Sequence, residues 1–190
     1  MQRTVINSHT QLKPLSLFGP KSVKKIMLIG CSGAGKSTLS RELHQILGIE
    51  LYHLDQYYWQ AGWVETPHAE WKQSLHDILH RPQWIIDGNF GSTMEERLMY
   101  ADTVIFLDFS RWICLYRALK RILFSYGKTR PDMAPGCPER FDWEFFSFIF
   151  HFPEKHRPAI LGRLKKKRPE TRVYWLKSPG EVRQLVRELG

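Results

Sequence analysis

A chain of 190 residues, 43% hydrophobic and 25% charged, is long enough to bury the core of one domain without disulfide bonds. That composition argues against a disordered or fibrous protein, and no apolar run is long enough to cross a bilayer. The cysteines Cys31, Cys114 and Cys137 form no CxxC pair, and residues 1–23 lack a secretory signal, so we expect a cytoplasmic protein without a membrane partner.

The chain has an unusual excess of positive charge. It contains 28 Lys and Arg against 19 Asp and Glu, a formal net charge of +9. Such an excess is typical of proteins with an anionic partner, either a phosphorylated small molecule or a nucleic acid. One basic cluster, Arg163 with residues 165–168, closes a predicted helix, where cations stabilise the helix dipole.

Five short apolar runs have the nearly continuous hydrophobicity of strands buried on both faces. These runs are residues 25–30, 51–55, 84–87, 103–108 and 172–176. Helical patterns lie between them, so we predict an α/β fold with three layers around a five-stranded parallel sheet. Residues 1–23 are polar and mixed, and we expect them to form an N-terminal extension before a single domain over residues 24–190.

Capping patterns mark three predicted helix starts. They are Thr66 before Pro67, Ser92 with Glu95, and Ser178 with Glu181. The first predicts a helix that continues to Leu79.

Residues 125–141, which we call the lid, have no regular pattern. Three prolines and two glycines lie within residues 125–140. A long irregular segment inside a compact domain is usually a lid or a binding loop. We expect it to be the most mobile internal segment, because those residues leave few backbone hydrogen bonds to hold it. The aromatic run at 143–152 that follows is predicted to be a packing helix.

A phosphate-binding motif follows the first predicted strand. Residues 30–38 match GxxxxGK[ST], between a buried strand and an amphipathic helix. Glycines let backbone N–H groups surround phosphate oxygens, and the helix start adds its positive dipole end. Lys36 is predicted to reach the β- and γ-phosphates and Ser37 to bind magnesium. The predicted nucleotide-binding residues are Gly30, Cys31, Ser32, Gly33, Ala34, Gly35, Lys36, Ser37 and Thr38.

The motif indicates a nucleotide phosphate without naming the reaction. The chain has two asparagines, Asn7 and Asn89, and neither begins the Asn-Lys-x-Asp motif of GTPases. Motor and transporter ATPases need a longer chain or partner domains. Phosphoryl transfer to a small acceptor is therefore the leading class. The alternative is an ATP-binding regulator associated with nucleic acid, which the charge favours.

Together, the motifs resemble a known group of kinases. Leu54-Asp55 and Trp84-Ile-Ile-Asp-Gly-Asn follow the P-loop, and Val104-Ile-Phe-Leu-Asp and the lid sequence come next. This order resembles the adenylate-kinase-related P-loop kinases, and most of all the bacterial DNA topology modulation proteins. The resemblance implies a nucleoside- or nucleotide-kinase-like fold with strand order 2-3-1-4-5, using ATP and magnesium. The family name implies an effect on DNA topology.

The resemblance also suggests roles for two carboxylates. Asp87 ends the third strand, where kinases of this group hold magnesium through water. Asp108 follows four apolar residues and also fits a Walker B pattern. Its strand is expected on the other side of the P-loop strand, so Asp87 is preferred.

Four arginines are candidates for binding the transferring phosphoryl group. Arg130 and Arg140 are similar in placement to lid arginines of these kinases. Arg117 and Arg121 lie one helical turn apart, so they share a face that could line the cleft. Exposed structural arginines are the alternative for each.

Asp55 favours one kind of acceptor. A hydroxyl acceptor benefits from a carboxylate that takes its proton, whereas a nucleotide phosphate needs only arginines. Leu54-Asp55 is similar to the corresponding segment of uridine and shikimate-type kinases, so a hydroxyl acceptor is slightly preferred over a nucleotide phosphate. The next aromatic residues, Tyr57, Tyr58, Trp59 and Trp63, either stack on a planar acceptor or form a small core, and His53 is predicted to be structural. The acceptor and the oligomeric state stay open.

Overall fold

The computed structural model describes residues 23–189, and the predicted N-terminal extension lies outside them except for Val23, which is buried in the core. The strands are β1 (Lys25–Gly30), β2 (Leu51–His53), β3 (Trp59–Gln60), β4 (Val64–Glu65), β5 (Trp84–Asp87), β6 (Thr103–Leu107) and β7 (Arg172–Leu176). Five of them form one sheet in the order β2-β5-β1-β6-β7, in which every pairing is parallel. Strands β3 and β4 form a separate antiparallel hairpin.

The predicted fold class is confirmed. Without the hairpin, the five sheet strands in chain order lie 2-3-1-4-5 across the sheet. The central strand β1 pairs with β5 on one side and with β6 on the other. Met27, Leu28 and Ile29 have no exposed surface, because successive side chains point to opposite faces and both faces are covered.

Eight α-helices connect these strands within the described residues. They are α1 (Lys36–Leu47), α2 (Leu54–Tyr58), α3 (His68–Leu79), α4 (Met94–Tyr100), α5 (Arg111–Ser125), α6 (Trp143–Lys155), α7 (Arg157–Leu164) and α8 (Pro179–Leu189). A 3-10 turn, Gly91–Thr93, precedes α4. Helix α1 packs with α8, α4 with α7, and α5 with α6. No helix of residues 23–189 combines the length and the hydrophobicity needed to cross a membrane.

One predicted cap is confirmed and two are wrong. At α8 the Glu181 N–H donates to Ser178 Oγ at 3.3 Å, so Ser178 caps the helix as predicted, and the Glu181 carboxylate accepts from the N–H of the preceding residue, Lys177, at 2.9 Å. Thr66 does not cap α3, because its hydroxyl donates to Tyr57 O at 2.9 Å and Pro67 takes the N-cap position.

At the start of α4, Ser92 lies inside the 3-10 turn and Thr93 takes the N-cap position without a side-chain hydrogen bond. Glu95 instead forms an ion pair with Lys166 at 3.2 Å. The second strand is also shorter than predicted, since β2 ends at His53 and Asp55 lies in the first turn of α2. Asp55 therefore lies at the start of helix α2, just after the carboxyl end of β2.

Candidate active site

The P-loop, residues 30–38, joins the end of β1 to α1, as the motif predicts. Gly30 and Gly33 have positive φ angles of 144° and 81°. At these positions a Cβ atom would clash with the carbonyl oxygens of Leu107 and Cys114, respectively. The two glycines therefore let the loop lie directly against the end of β6 and against α5.

The start of α1 is suited to bind an anion. Its N-cap is Gly35, so no side chain satisfies the first N–H groups of this 12-residue helix. Lys36 Nζ donates to Gly30 O at 2.9 Å and to Cys31 O at 3.2 Å, which places a positive charge inside the loop. Ser37 lines the cleft beside it.

Asn89 fixes the base of the P-loop, a role that the sequence did not indicate. Its side-chain amide donates to Gly30 O at 2.7 Å, and its Oδ1 accepts from the Gly30 N–H at 2.9 Å. The fully buried Arg97 in turn donates to the carbonyl oxygens of Gly88, Asn89 and Phe90. Burial lowers the pKa of Arg97 to about 9, with Asp87 opposing that shift. Residues 88–90 are thus held rigidly beside the P-loop.

Two carboxylates, Asp55 and Asp87, line the floor of the cleft. Asp87 is buried, and its Oδ2 contacts His53 Nδ1 at 3.0 Å. Its Oδ1 has no hydrogen-bond partner among residues 23–189. Burial, helped by the negative charge of Asp87, raises the pKa of Asp55 to about 6, although Lys36 and Arg130 oppose the shift. His53 is therefore placed to orient Asp87, and its structural role stays a prediction.

Asp108, the alternative Walker B carboxylate, is used elsewhere. Both of its oxygens accept from Arg157 Nε at 2.9 Å, and Oδ2 also accepts from Trp175 Nε1 at 2.7 Å. It does not line either cavity described below. The arrangement favours Asp87 as the carboxylate near the P-loop.

The four predicted arginines converge on the same cleft. Arg117 Nη1 donates to Ala34 O at 3.0 Å and so braces the P-loop from α5. Arg121 Nε lies 3.1 Å from Glu139 Oε1, and Arg130 Nε contacts that same oxygen. Arg140 stacks over Trp63 with 5.4 Å between the guanidinium carbon and the ring centroid.

Asp132 and Glu139 are site residues that the sequence analysis missed. Both are buried lid carboxylates. Arg130 Nη1 donates to Asp132 Oδ2 at 2.8 Å. Burial raises the pKa of Asp132, but Arg130 and the hydroxyl of Ser37 outweigh it, so the net shift is downward. Each of these carboxylates directly follows a proline of the lid, which was the available signal in the sequence. The contact between Asp132 and Ser37 depends on tertiary structure and could not be predicted.

The premise that few backbone hydrogen bonds hold the lid is wrong. Gly127 N–H donates to Glu139 O at 2.9 Å, and Glu139 N–H returns a bond to Lys128 O at 3.0 Å. The lid also has its own small core, formed by Met133, Ala134 and Cys137 with Trp59 and Trp63. The lid is irregular, as predicted, but internally bonded.

The lid is joined to the β3–β4 hairpin. Gly62 N–H donates to Gly136 O at 2.9 Å, and Trp63 Nε1 donates to Pro138 O at 3.2 Å. The aromatic residues after Asp55 therefore divide into two groups. Tyr58 packs against Trp71 and Phe90, whereas Trp59 and Trp63 pack against the lid and line the cleft.

The cleft consists of two adjoining cavities of about 1060 Å³ and 460 Å³. The larger one is lined by P-loop residues 32–38 and by all the predicted catalytic and metal-binding side chains. These are Lys36, Ser37, Asp55, Asp87, Arg117, Arg121, Arg130 and Arg140. Of the predicted nucleotide-binding residues, Gly30 and Cys31 at the start of the P-loop do not line the cavity. Cys31 is buried against Cys114.

Comparison with known proteins supports the fold. No family model matches the chain. The chain is 29% identical over 106 residues to uncharacterized protein YqaC of Bacillus subtilis (strain 168), a match that covers 55% of this chain and spans 60% of that protein. The resemblance to the DNA topology modulation proteins stays a prediction.

Two solved structures have the same overall fold. The shikimate kinase from Acinetobacter baumannii, solved in complex with shikimate, aligns over 93% of this chain and 94% of its own, with a TM-score of 0.59 and 17% identity. The shikimate kinase from Bacteroides thetaiotaomicron aligns over 88% and 96%, with a TM-score of 0.52 and 20% identity. These alignments show that the chain shares the α/β fold of these two shikimate kinases.

Proposed function

We propose that this protein transfers the γ-phosphoryl group of ATP to a small acceptor that carries a hydroxyl group. One observation supports it above all: the cavity that contains the P-loop and Lys36 also contains Asp55, Asp87 and a group of arginines. A P-loop alone serves many nucleotide-binding proteins. A carboxylate and arginines facing the loop are what transfer to an acceptor requires.

The residues present fit a magnesium ion beside the phosphates. Asp87 Oδ1 is buried without a hydrogen-bond partner among the described residues, so it is available as an acceptor for a metal or its water. Ser37 lines the same cavity. When bound, the metal supplies positive charge that neutralises the phosphate oxygens. His53 keeps Asp87 in one orientation, as groups behind metal-binding carboxylates do.

Asp55 is the proposed general base. With a pKa of about 6, Asp55 is ionised at neutral pH. That pKa also lies near the working pH, as is required of a general base that accepts a proton from a hydroxyl group. Asp55 lines both cavities, and so does Lys36. Both residues therefore lie where the two cavities meet. The larger cavity, which has most of the P-loop and the arginines, is the proposed nucleotide site, and the smaller one is the proposed acceptor site. A nucleotide phosphate acceptor is the second candidate, since it needs no base.

The arginines are proposed to stabilise the charge on the transferring group. Glu139 and Asp132 hold Arg130 over the cleft, and Glu139 also holds Arg121. Arginines fixed in this way stabilise developing charge without reorganising during the reaction. The net charge of +9 does not distinguish this proposal from the nucleic-acid alternative, because Glu139 and Asp132 offset the charges of Arg121 and Arg130.

The test is an acceptor screen with release of ADP as the signal. Nucleosides, nucleotides, sugars and hydroxy acids are added singly with MgATP, and thermal shift first confirms nucleotide binding. We expect at least one compound to stimulate ADP release by the wild type, and not by Lys36→Ala, because that substitution removes the loop's charge. Equal stimulation in a folded Lys36→Ala protein would rule out the proposal. Binding to DNA at physiological salt without any stimulating acceptor would favour the nucleic-acid alternative.

A further inference from the structure

The smaller cavity has a floor that separates two charged groups. Residues 88–91 line it, and Gly88 packs against Leu54, the neighbour of Asp55. At the other end of this segment, a Cβ atom on Gly91 would lie 3.6 Å from Arg163 Nη1. Asp55 and Arg163 therefore lie near opposite ends of the segment 88–91, and both line the smaller cavity.

Arg163 has no strong partner of its own. Within residues 23–189 its ion pair is with Glu95, at 4.0 Å between Nε and Oε1. That same oxygen lies closer to Lys166 Nζ, at 3.2 Å. The side chain of Arg163 is 31% exposed and that of Lys166 is 72% exposed. The guanidinium group therefore remains available to a second anion in the cavity.

The other lining groups leave Arg163 as the cation at this end. Phe148 and Phe152 form a wall, and the ring of His156 packs on both of them. Burial, with the nearby charge of Lys155, lowers the pKa of His156, so its ring is neutral at physiological pH. Asn89 and Lys36 are hydrogen-bonded to the P-loop.

We propose that the acceptor is an anionic hydroxy compound whose carboxylate or phosphate group binds Arg163 while its hydroxyl group faces Asp55. This inference rests on the proposed function. The acceptor oxygen forms a bond to the γ-phosphorus as the bond from that phosphorus to the bridging oxygen of ADP breaks, and the hydroxyl proton passes to Asp55. ADP and an acceptor phosphoester are the products. A planar guanidinium matches both anions through paired hydrogen bonds.

The test uses a small-molecule extract of Bacillus subtilis, separated on an anion exchanger into unretained and retained fractions. Half of the retained fraction is treated with alkaline phosphatase, which is then removed. Each fraction is incubated with MgATP labelled at the γ-phosphate, and label in organic products is counted. Lys36→Ala provides the blank. Lys165→Met is the matched control, since it removes an exposed cation of the same basic segment outside the cavity and leaves the contact between Lys166 and Glu95 in place.

We expect label in products from the retained fraction. A carboxylate acceptor survives phosphatase treatment, and a phosphate acceptor is lost. At limiting acceptor, Arg163→Met lowers transfer about tenfold or more through KM, as loss of a charged hydrogen bond does, while Arg163→Lys retains part of it. Lys165→Met has no such effect.

Two results would overturn the inference alone, and a third would overturn the proposed function as well. Label from the unretained fraction contradicts an anionic acceptor, and so does equal KM for Arg163→Met and Lys165→Met. Both of these results leave the kinase proposal standing. Absence of Lys36-dependent label in every fraction contradicts the proposed function itself, and the inference with it. Stabilisation of each variant by MgATP in thermal shift shows that the fold and the nucleotide site are intact.

Discussion

Replacing Asp55 by asparagine is expected to stabilise the unliganded protein while it removes activity. Burial and the charge of Asp87 raise the pKa of Asp55 from its ordinary 3.8 to about 6. The folded state therefore binds this proton more tightly than the unfolded state. Stability falls as pH rises from about 4 to about 6 and stays lower above that range.

The magnitude follows from the size of that shift. Two pKa units at 1.36 kcal/mol each correspond to about 3 kcal/mol, as an upper estimate, since relaxation around the charge reduces it. Asparagine carries no charge, so Asp55→Asn escapes this penalty. We expect the variant to gain about 1–3 kcal/mol over the wild type at pH 7.5 and little near pH 4. Turnover should fall by about 10²–10⁴, the usual contribution of a general base.

The assay is urea unfolding of both proteins at several pH values, without ATP or magnesium. Asp77→Asn, at an exposed position of α3, is the control and should change stability by less than about 0.5 kcal/mol at every pH. If Asp55→Asn is less stable than the wild type by the same amount at pH 7.5 and at pH 4, the ionised Asp55 carboxylate is not destabilised by burial and by Asp87, and the reasoning is refuted. Normal turnover in that variant would remove it as the base.

Three further predictions concern the residues around Asp55. Arg130→Ala should lower turnover at least about a hundredfold with ATP binding changed much less, measured by ADP release and by nucleotide titration; normal turnover would exclude Arg130 from catalysis. Glu139→Gln should cost about 3 kcal/mol in urea unfolding, because Arg121 and Arg130 lose their shared carboxylate, and an unchanged unfolding midpoint would show that the pairs are unimportant. Asp87→Asn should raise the magnesium concentration for half-maximal turnover about tenfold or more, whereas Asp108→Asn should lower the melting temperature and leave that requirement unchanged; the reverse pattern would exchange their roles.

The sheet could be predicted because its strands are buried on both faces. Residues 84–87 and 103–107 are continuous apolar runs that no helical period fits, and the structure places both as strands beside β1. The P-loop was predictable for a related reason, since its glycines and Lys36 form a pattern within nine consecutive residues. Local sequence was enough for both.

The contacts that organise the site could not be predicted, because their members are distant in sequence. His53 and Asp87 are 34 residues apart, and Arg117 and Ala34 are 83 apart. The number of backbone hydrogen bonds in the lid was predicted wrongly for another reason. Prolines and glycines limit regular structure, but they do not limit turn hydrogen bonds or side-chain packing. Even so, every side chain predicted to take part in catalysis or to bind metal lines one cavity.

The central claim is that the γ-phosphoryl group is transferred to an organic hydroxyl group. The most direct measurement is ³¹P NMR of the products after wild-type protein has consumed MgATP together with the stimulating fraction of the extract. We expect a phosphomonoester signal equal in amount to the ADP formed, and no such signal with Lys36→Ala. A signal from a new phosphoanhydride would instead identify a nucleotide phosphate as the acceptor. ADP accompanied only by inorganic phosphate would contradict the account, because water would then be the acceptor.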